Sequence, residues 1–195
     1  MYSMSGIIGR KIGMTRIIDE NGKMIPLTLV QCQPNKIIQI KTVEKDGVNA
    51  IVLGHEPKKR PTKNSKYQNI SQFRVDKVED FTVDQEITTE SLSEKTHIKV
   101  SATSKGKGFQ GVIKRHNFSR GPETHGSRHH REPGSVGACA APGRVLKGTK
   151  LPGQMGNVKV TRNSAELVYF DHSNHLVGIK GSVPGAKNNL VYIFA

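Results

Sequence analysis

The side chains with the most chemical potential are crowded into one stretch. His125, His129, His130 and Cys139 are potential metal ligands, and Lys105, Lys107, Lys114, Arg115, His116, Arg120, Arg128, Arg131, Arg144, Lys147 and Lys150 surround them. The histidines and the cysteine lack the CxxC or HxxxH spacing of a zinc site, and no acid nearby is placed to orient the rings, so no metal is expected. Gly143 to Lys150 reads G-x4-G-T-K. It misses the phosphate-binding loop, which needs Lys before Ser or Thr and a strand in front. Glu123 and Glu132 are the only acids of the stretch, too few for paired-carboxylate or two-metal cleavage of nucleic acid. What is left is binding chemistry: ammonium groups for phosphates, and guanidinium planes and imidazoles that also stack on unpaired bases. No enzyme activity, cofactor or small-molecule substrate is expected.

The glycines make the same case. Ser104-Lys105-Gly106-Lys107-Gly108-Phe109 alternates cations with residues that let the backbone approach a phosphate closely. From Gly134 to Gly143 the chain carries small, uncharged residues almost throughout, suited to a narrow passage between RNA helices. Charge returns with Arg144, Lys147 and Lys150, then Gly153-Gln154-Met155-Gly156, and Lys159 and Arg162 follow. Gln154, Lys159 and Arg162 therefore join the expected RNA-binding set. Phe109 and Phe118 have two readings, stacking on bases or packing against protein or sugar.

The elements that must position this stretch lie on both sides of it. Runs rich in Ile, Val and Thr at Gly6 to Arg10, Thr15 to Ile18, Met24 to Cys32, Lys36 to Val43, Asn49 to Leu53 and His97 to Val100 read as strands. Asn21-Gly22 and Asp46-Gly47 suit tight turns between them. Strands resume at Lys159 to Thr161, Glu166 to Asp171, Leu176 to Lys180 and Leu190 to Phe194, with Ser173-Asn174 as a turn. Many short strands joined closely predict a mainly β protein, an antiparallel barrel without free edges. The expected division is a barrel from 1–55 and 158–195 with a strand at 96–103, a small mixed α/β insertion at 56–95, and an extended loop at 104–157. Met14 and Met24 read as core, and His55, His97, His172 and His175 as barrel-surface or turn residues. Lys58 to Lys66 reads either as a functional basic loop or as a solvated one.

Composition bounds the partner. The 195 residues hold 30 Lys and Arg against 16 Asp and Glu, a formal charge of +14 that calls for an anionic partner. Ser104 to Asn163 alone has 12 basic and 2 acidic residues, and 11 of the 20 glycines. Its apolar residues recur at neither the helical nor the strand period, so it cannot bury enough area to fold alone. No apolar run is long enough for a membrane span and no basic amphipathic helix is evident, which favours nucleic acid over a membrane. Met1 to Arg10 has no secretory pattern, and Cys32 and Cys139 read as reduced thiols, so a cytoplasmic protein is expected.

Several separate blocks now carry a resemblance. Ser104 to Gly111, Lys114-Arg115-His116, His125-Gly126-Ser127, His130-Arg131, Pro133 to Gly137, Pro142 to Val145 and Gly153 to Gly156 resemble, in order and spacing, the signature of the ribosomal protein L-three family in its bacterial form. Gly6 to Thr15 and Gly181 to Gly185 resemble its opening and close. The resemblance implies a translation-protein-like β-barrel on the surface of the large ribosomal subunit, and a long extension running inward toward the peptidyl transferase centre. It also implies early assembly, with large-subunit ribosomal RNA and neighbouring large-subunit ribosomal proteins as partners. Thr124 departs from the family's common Ser, and Ala138 to Ala141 lacks the glutamine that many bacterial members methylate. On the residues alone, a free-standing RNA chaperone or translation factor with a barrel remains a second reading.

The composition predicts that, without RNA, amides in Ser104 to Asn163 exchange far faster than those of the flanking strands. Uniformly strong protection of that segment in hydrogen exchange would contradict it.

Overall fold

The computed structural model describes residues 6–62, 65–92 and 96–194. Among the described residues, twelve strands carry the fold and helix is confined to short turns. They run β1 (Gly6–Ile18), β2 (Met24–Gln31), β3 (Asn35–Lys41), the one-turn helix α1 (Val43–Asp46), β4 (Ala50–Thr62), β5 (Ser65–Arg74), β6 (Glu86–Ile87), a 3-10 turn at Thr89–Leu92, β7 (His97–Thr103), β8 (Gly108–Gln110), helix α2 (Val112–His116), β9 (Gly153–Met155), β10 (Lys159–Asp171), β11 (Leu176–Lys180) and β12 (Leu190–Phe194). Lys105–Val158 forms one compact unit, and the described residues on either side of it form the other.

In the larger unit six strands close a barrel in the order β1-β12-β7-β10-β11-β2. Every neighbouring pair is antiparallel, and β2 returns to β1 to complete the ring. Period-two alternation points one side of each strand inward. Ile7, Val30, Val100, Val177, Ile179, Val191 and Ile193 fill the interior. Burying each such side chain stabilises by roughly 1.5–3 kcal/mol.

A second sheet, ordered β5-β4-β3-β6, uses residues the alternation alone assigned to the barrel. The chain leaves the barrel at Asn35, whose buried amide donates to the Ile8 and Gln33 carbonyls at 3.0 and 3.2 Å. The excursion therefore begins at β3, not at residue 56. It is built of strands, with α1 and the 3-10 turn as its only helix among the described residues. The sheet packs Ile37, Ile51, Leu53 and Phe73 against Ile8 and against Leu190, Tyr192 and Phe194 on the outer side of β12. That is why β1 opens with Ile7 and Ile8 both fully buried: successive side chains face two different cores. Phe73 lies 5.2 Å from Phe194, ring to ring, and a Cβ added at Gly6 would collide with the Phe73 ring.

Three expectations are corrected here. Met14 and Met24 are 55% and 54% exposed, because the β1–β2 hairpin runs on to Ile18 and its tip leaves one face open. His55 is not at a surface but fully buried in β4. Gly6 to Arg10 and Thr15 to Ile18 are one strand, bent by an irregularity between Lys11 and Gly13. The turns at Asn21-Gly22 and Ser173-Asn174 fall where expected, with Gly22 at φ of 74°, whereas the expected tight turn at Asp46-Gly47 is the one-turn helix α1, which Gly47 ends at φ of 73°. Lys63 of the basic stretch lies outside the described residues.

An ionic cluster ties β1 to β4. The Arg10 guanidinium donates through Nε and Nη2 to both Glu56 carboxylate oxygens, and Asn69 of β5 adds a long contact at 3.5 Å. Hydrogen bonding from Arg10 holds the Glu56 carboxyl below the usual glutamate range. Beside it, burial pushes the His55 imidazole down, outweighing the attraction of Glu56, whose carboxylate stands 3.6 Å from Nε2. Both shifts act in the same direction. A depressed folded-state pKa means that stability is present above the unfolded value and lost as the pH falls. Unfolding midpoints in urea are thus expected to drop on acidification in two stages, from His55 below about 6.5 and from Glu56 below about 4.5. Glu56→Gln should shrink the lower stage, to which Glu166 and Asp171, also held down by hydrogen bonds, contribute, and a His55 ring signal titrating at or above 6.5 would contradict the upper one.

Candidate nucleic-acid interface

The arm from Lys105 to Val158 begins with a closed base. β8 pairs with β9 through Gly108↔Met155 and Gln110↔Gly153, and the Lys107 amide donates to the Met155 carbonyl at 2.9 Å. Gly156, at φ of 71°, presses its α-carbon onto the Lys105 carbonyl so closely that no Cβ would fit. Gly111 starts α2, and Asn117, in the left-handed region at φ of 58°, ends it. The helix points Arg115 and His116 across to the returning chain. Arg115 Nη1 donates to the Leu151 carbonyl at 2.6 Å, and His116 Nε2 lies 3.1 Å from the same oxygen. A Cβ at Gly153 would stand 2.8 Å from the Arg115 guanidinium, so glycine there gives the arginine its seat.

Further out, a second closure forms a knuckle. The Gly121 amide donates to the His130 carbonyl at 3.1 Å, and His130 Nδ1 lies 3.0 Å from the Pro122 carbonyl. A side chain at Gly121 would overlap the His129 carbonyl. Glu123 approaches Arg120 at 3.5 Å and Glu132 approaches His129 at 3.4 Å, so the arm's two acids are each spent on a neighbouring base. At the tip, Ser135 Oγ donates to the Gly137 carbonyl, and Ala138 to Lys150 is exposed throughout.

Between these closures there is almost no interior. Val112 is the single buried residue of Lys105–Val158, and Phe109 is 75% exposed. Lys105, Lys107, Lys114, Arg120, His125, Arg128, His129, His130, Arg131, Arg144, Lys147, Lys150 and Gln154 are all exposed, as a surface for phosphate contact requires. Arg115 and His116 are half-buried and turned onto the arm's own backbone, which makes them fasteners of its base. Arg162, also half-buried, lies in the larger unit, where its Nη1 donates to the Lys180 and Ser182 carbonyls at 2.9 Å each. Lys159, exposed, stands 5.9 Å over the Tyr192 ring. Among the described residues no group of three or more His, Cys, Asp or Glu could hold a metal ion, and no helix is long and apolar enough to cross a membrane.

With this geometry in hand, comparison with known proteins is specific. A family model described as ribosomal protein L3 matches residues 62–173, which includes the whole arm. The chain belongs to the ribosomal protein L3 family. Proteins named large ribosomal subunit protein uL3 are 45% identical in Alkaliphilus metalliredigens strain QYMF, over 202 residues and 97% of this chain and 96% of theirs. The equivalent in Lysinibacillus sphaericus strain C3-41 is 48% identical over 200 residues, 96% and 95% of the two chains. That in Bacillus mycoides strain KBAB4 is 46% identical at the same coverage. Within this L3-family chain, the blocks that resemble the family signature fall on the base, the knuckle and the tip. Two roles escaped the sequence: the Leu151 carbonyl as the acceptor that Arg115 and His116 share, and Gly121 and Gly156 as points where two backbones touch. Residue type signalled glycine at those places, but which backbone each would meet depends on the fold.

Gly156→Ala, which adds a Cβ onto the Lys105 carbonyl at a left-handed φ, is expected to open the β8–β9 base. Amide protection at Lys107 should fall while the unfolding midpoint of the barrel stays put; unchanged protection at Lys107 would show that the close approach is dispensable.

Proposed function

We propose that this chain is a structural, RNA-binding constituent of the large ribosomal subunit, with a binding role and no catalytic one. Its relatives bear that subunit in their names, and the chain matches them along nearly their full length. One observation carries the reading: a 54-residue arm with ten Lys and Arg, two acids and a single buried side chain. Such a segment gains little by collapsing on itself, because its apolar side chains are few and scattered and its charges repel. Wrapped in folded RNA, the same charges displace condensed cations from phosphates, and that release drives association.

In this reading the six-stranded unit is a translation-protein-like barrel seated at the subunit surface, and the arm of 104–157 penetrates the large-subunit ribosomal RNA toward the peptidyl transferase centre. Its small-residue tip passes where long side chains would clash. Other large-subunit proteins border the globular unit, and an arm that orders with RNA suits an early step of assembly. The exposed cations Lys105, Lys107, Lys114, Arg128, Arg131, Arg144, Lys147 and Lys150 neutralise phosphates, while His125, His129 and Arg120 are placed to meet bases or sugars. The site of action is the ribosome of the cytoplasm.

The test is salt dependence. Lys105→Gln, Lys107→Gln and Lys114→Gln together should lower the slope of log K against log salt for large-subunit ribosomal RNA by roughly 2 to 3, at about 0.7–0.9 per phosphate contact. An unchanged slope defeats the proposal. Release of the wild-type chain from large subunits by a mild salt wash would favour a transient RNA chaperone in its place.

A further inference from the structure

The larger unit holds a second cationic feature that the arm does not explain. β3 ends its pairing with β4 at Lys36↔Gly54, and from His55 to Asn69 the strands β4 and β5 continue as a two-stranded ribbon with no third strand among the described residues. A lone two-stranded hairpin is marginal in water. Past Glu56, which Arg10 holds, its charge is of one sign: Lys58, Lys59, Arg60 and Lys66 follow, and no acid occurs from Pro57 to Val75. At about 3.3 Å per strand residue, Lys58, Lys59 and Arg60 lie within one screening length of about 8 Å at physiological salt. Their repulsion opposes the very pairing that projects them.

The ribbon also has a shaped surface. Two shallow grooves meet at Lys66 and Tyr67, one reaching Pro57 and Pro61, the other reaching Lys36 and Asp84. The Tyr67 ring lies against Gly54, where a Cβ would stand 2.6 Å from it, and forms the aromatic wall common to both grooves. A half-exposed ring beside lysines offers a stacking or sugar-packing face next to phosphate-binding charge. Of the described residues lining the two grooves the one acid is Asp84, at the Lys36 end, where Glu86 also pairs with Lys36 at 3.6 Å. The ladder is irregular between Pro57 and Thr62, and two prolines without an N–H make the ribbon a poor template for adding another protein strand.

We propose that the β4–β5 ribbon is a second RNA-binding surface, taking the phosphate backbone of an RNA helix along Lys59, Arg60 and Lys66 with Tyr67 against a sugar or exposed base. This rests on the RNA-binding reading of the chain and adds a contact outside the arm. Lys59, Arg60 and Lys66 bring exposed like charge together on the ribbon, and a polyanion both relieves their repulsion and adds a layer to the two strands.

The experiment uses the full-length chain and purified large-subunit ribosomal RNA as the probe, with binding followed over a salt series. Lys59→Gln, Arg60→Gln and Lys66→Gln, all exposed residues, should lower the salt slope by roughly 2 to 3, which at about 0.15 M salt is roughly a hundredfold weaker binding. Combined with the arm substitutions Lys105→Gln, Lys107→Gln and Lys114→Gln, the losses should add. Photocrosslinking of the unsubstituted chain should yield an RNA adduct at Tyr67, a readout independent of whether the triple variant folds fully. If the arm substitutions lower the slope and the ribbon substitutions do not, or if Tyr67 gives no adduct, the ribbon proposal is overturned while the arm's role stands. If the ribbon variant keeps its RNA slope but loses binding to an acidic ribosomal protein, the ribbon is a protein contact and the proposal is likewise overturned. If neither set changes the slope, both readings fall together.

Discussion

The antiparallel pairing of β7 with β10 is the constraint on which the rest depends, because it sets Thr103 opposite Lys159 and so holds the two ends of the arm one strand spacing apart. Closing a flexible loop of that length costs roughly 3–4 kcal/mol of chain entropy, growing only slowly with further length. The barrel absorbs that cost once, through pairs that it needs in any case to close its ring. The arm is therefore free to be chosen for what it touches and need not contribute to the core. Its base repeats the logic on a smaller scale, with the β8–β9 pairing and the shared Leu151 carbonyl fastening the outgoing chain to the returning one.

The barrel and the second sheet are joined in a comparable way by single strands with two buried sides. β1 contributes Ile7 to one core and Ile8 to the other, and β12 does the same with Ile193 and Phe194. Strands used twice in this manner read as continuous apolar runs. They are also intolerant of register slips, because a shift of one residue would exchange the two cores.

How much of this was legible depended on whether the signal was local. β11 and β12 matched the apolar runs at Leu176 to Lys180 and Leu190 to Phe194, and the turns at Asn21-Gly22 and Ser173-Asn174 followed from residue type. Membership in a sheet was not local. The run beginning at Lys36 alternates as a barrel strand would, and only the Asn35 amide, bonded to a carbonyl 27 residues earlier, diverts it. Met14 and Met24 kept their strand pattern but lost their partner, since the hairpin outruns the barrel. In the arm, residue type and charge marked a stretch poor in apolar periodicity, and Val112 is its one buried residue. They could not separate Arg115 and His116, which bind the chain's own Leu151, from the exposed cations on either side. Both kinds are basic residues among glycines, and the distinction lies in an acceptor 35 or 36 residues away.

The near-absence of buried side chains in the arm has a consequence for the life of the free chain. A protease needs an extended stretch of backbone that can be drawn into its cleft, and here basic cleavage points stand exposed in a segment whose local opening costs little. A chain free of RNA therefore offers its arm to proteolysis ahead of its barrel, whose backbone is held in closed strand pairing.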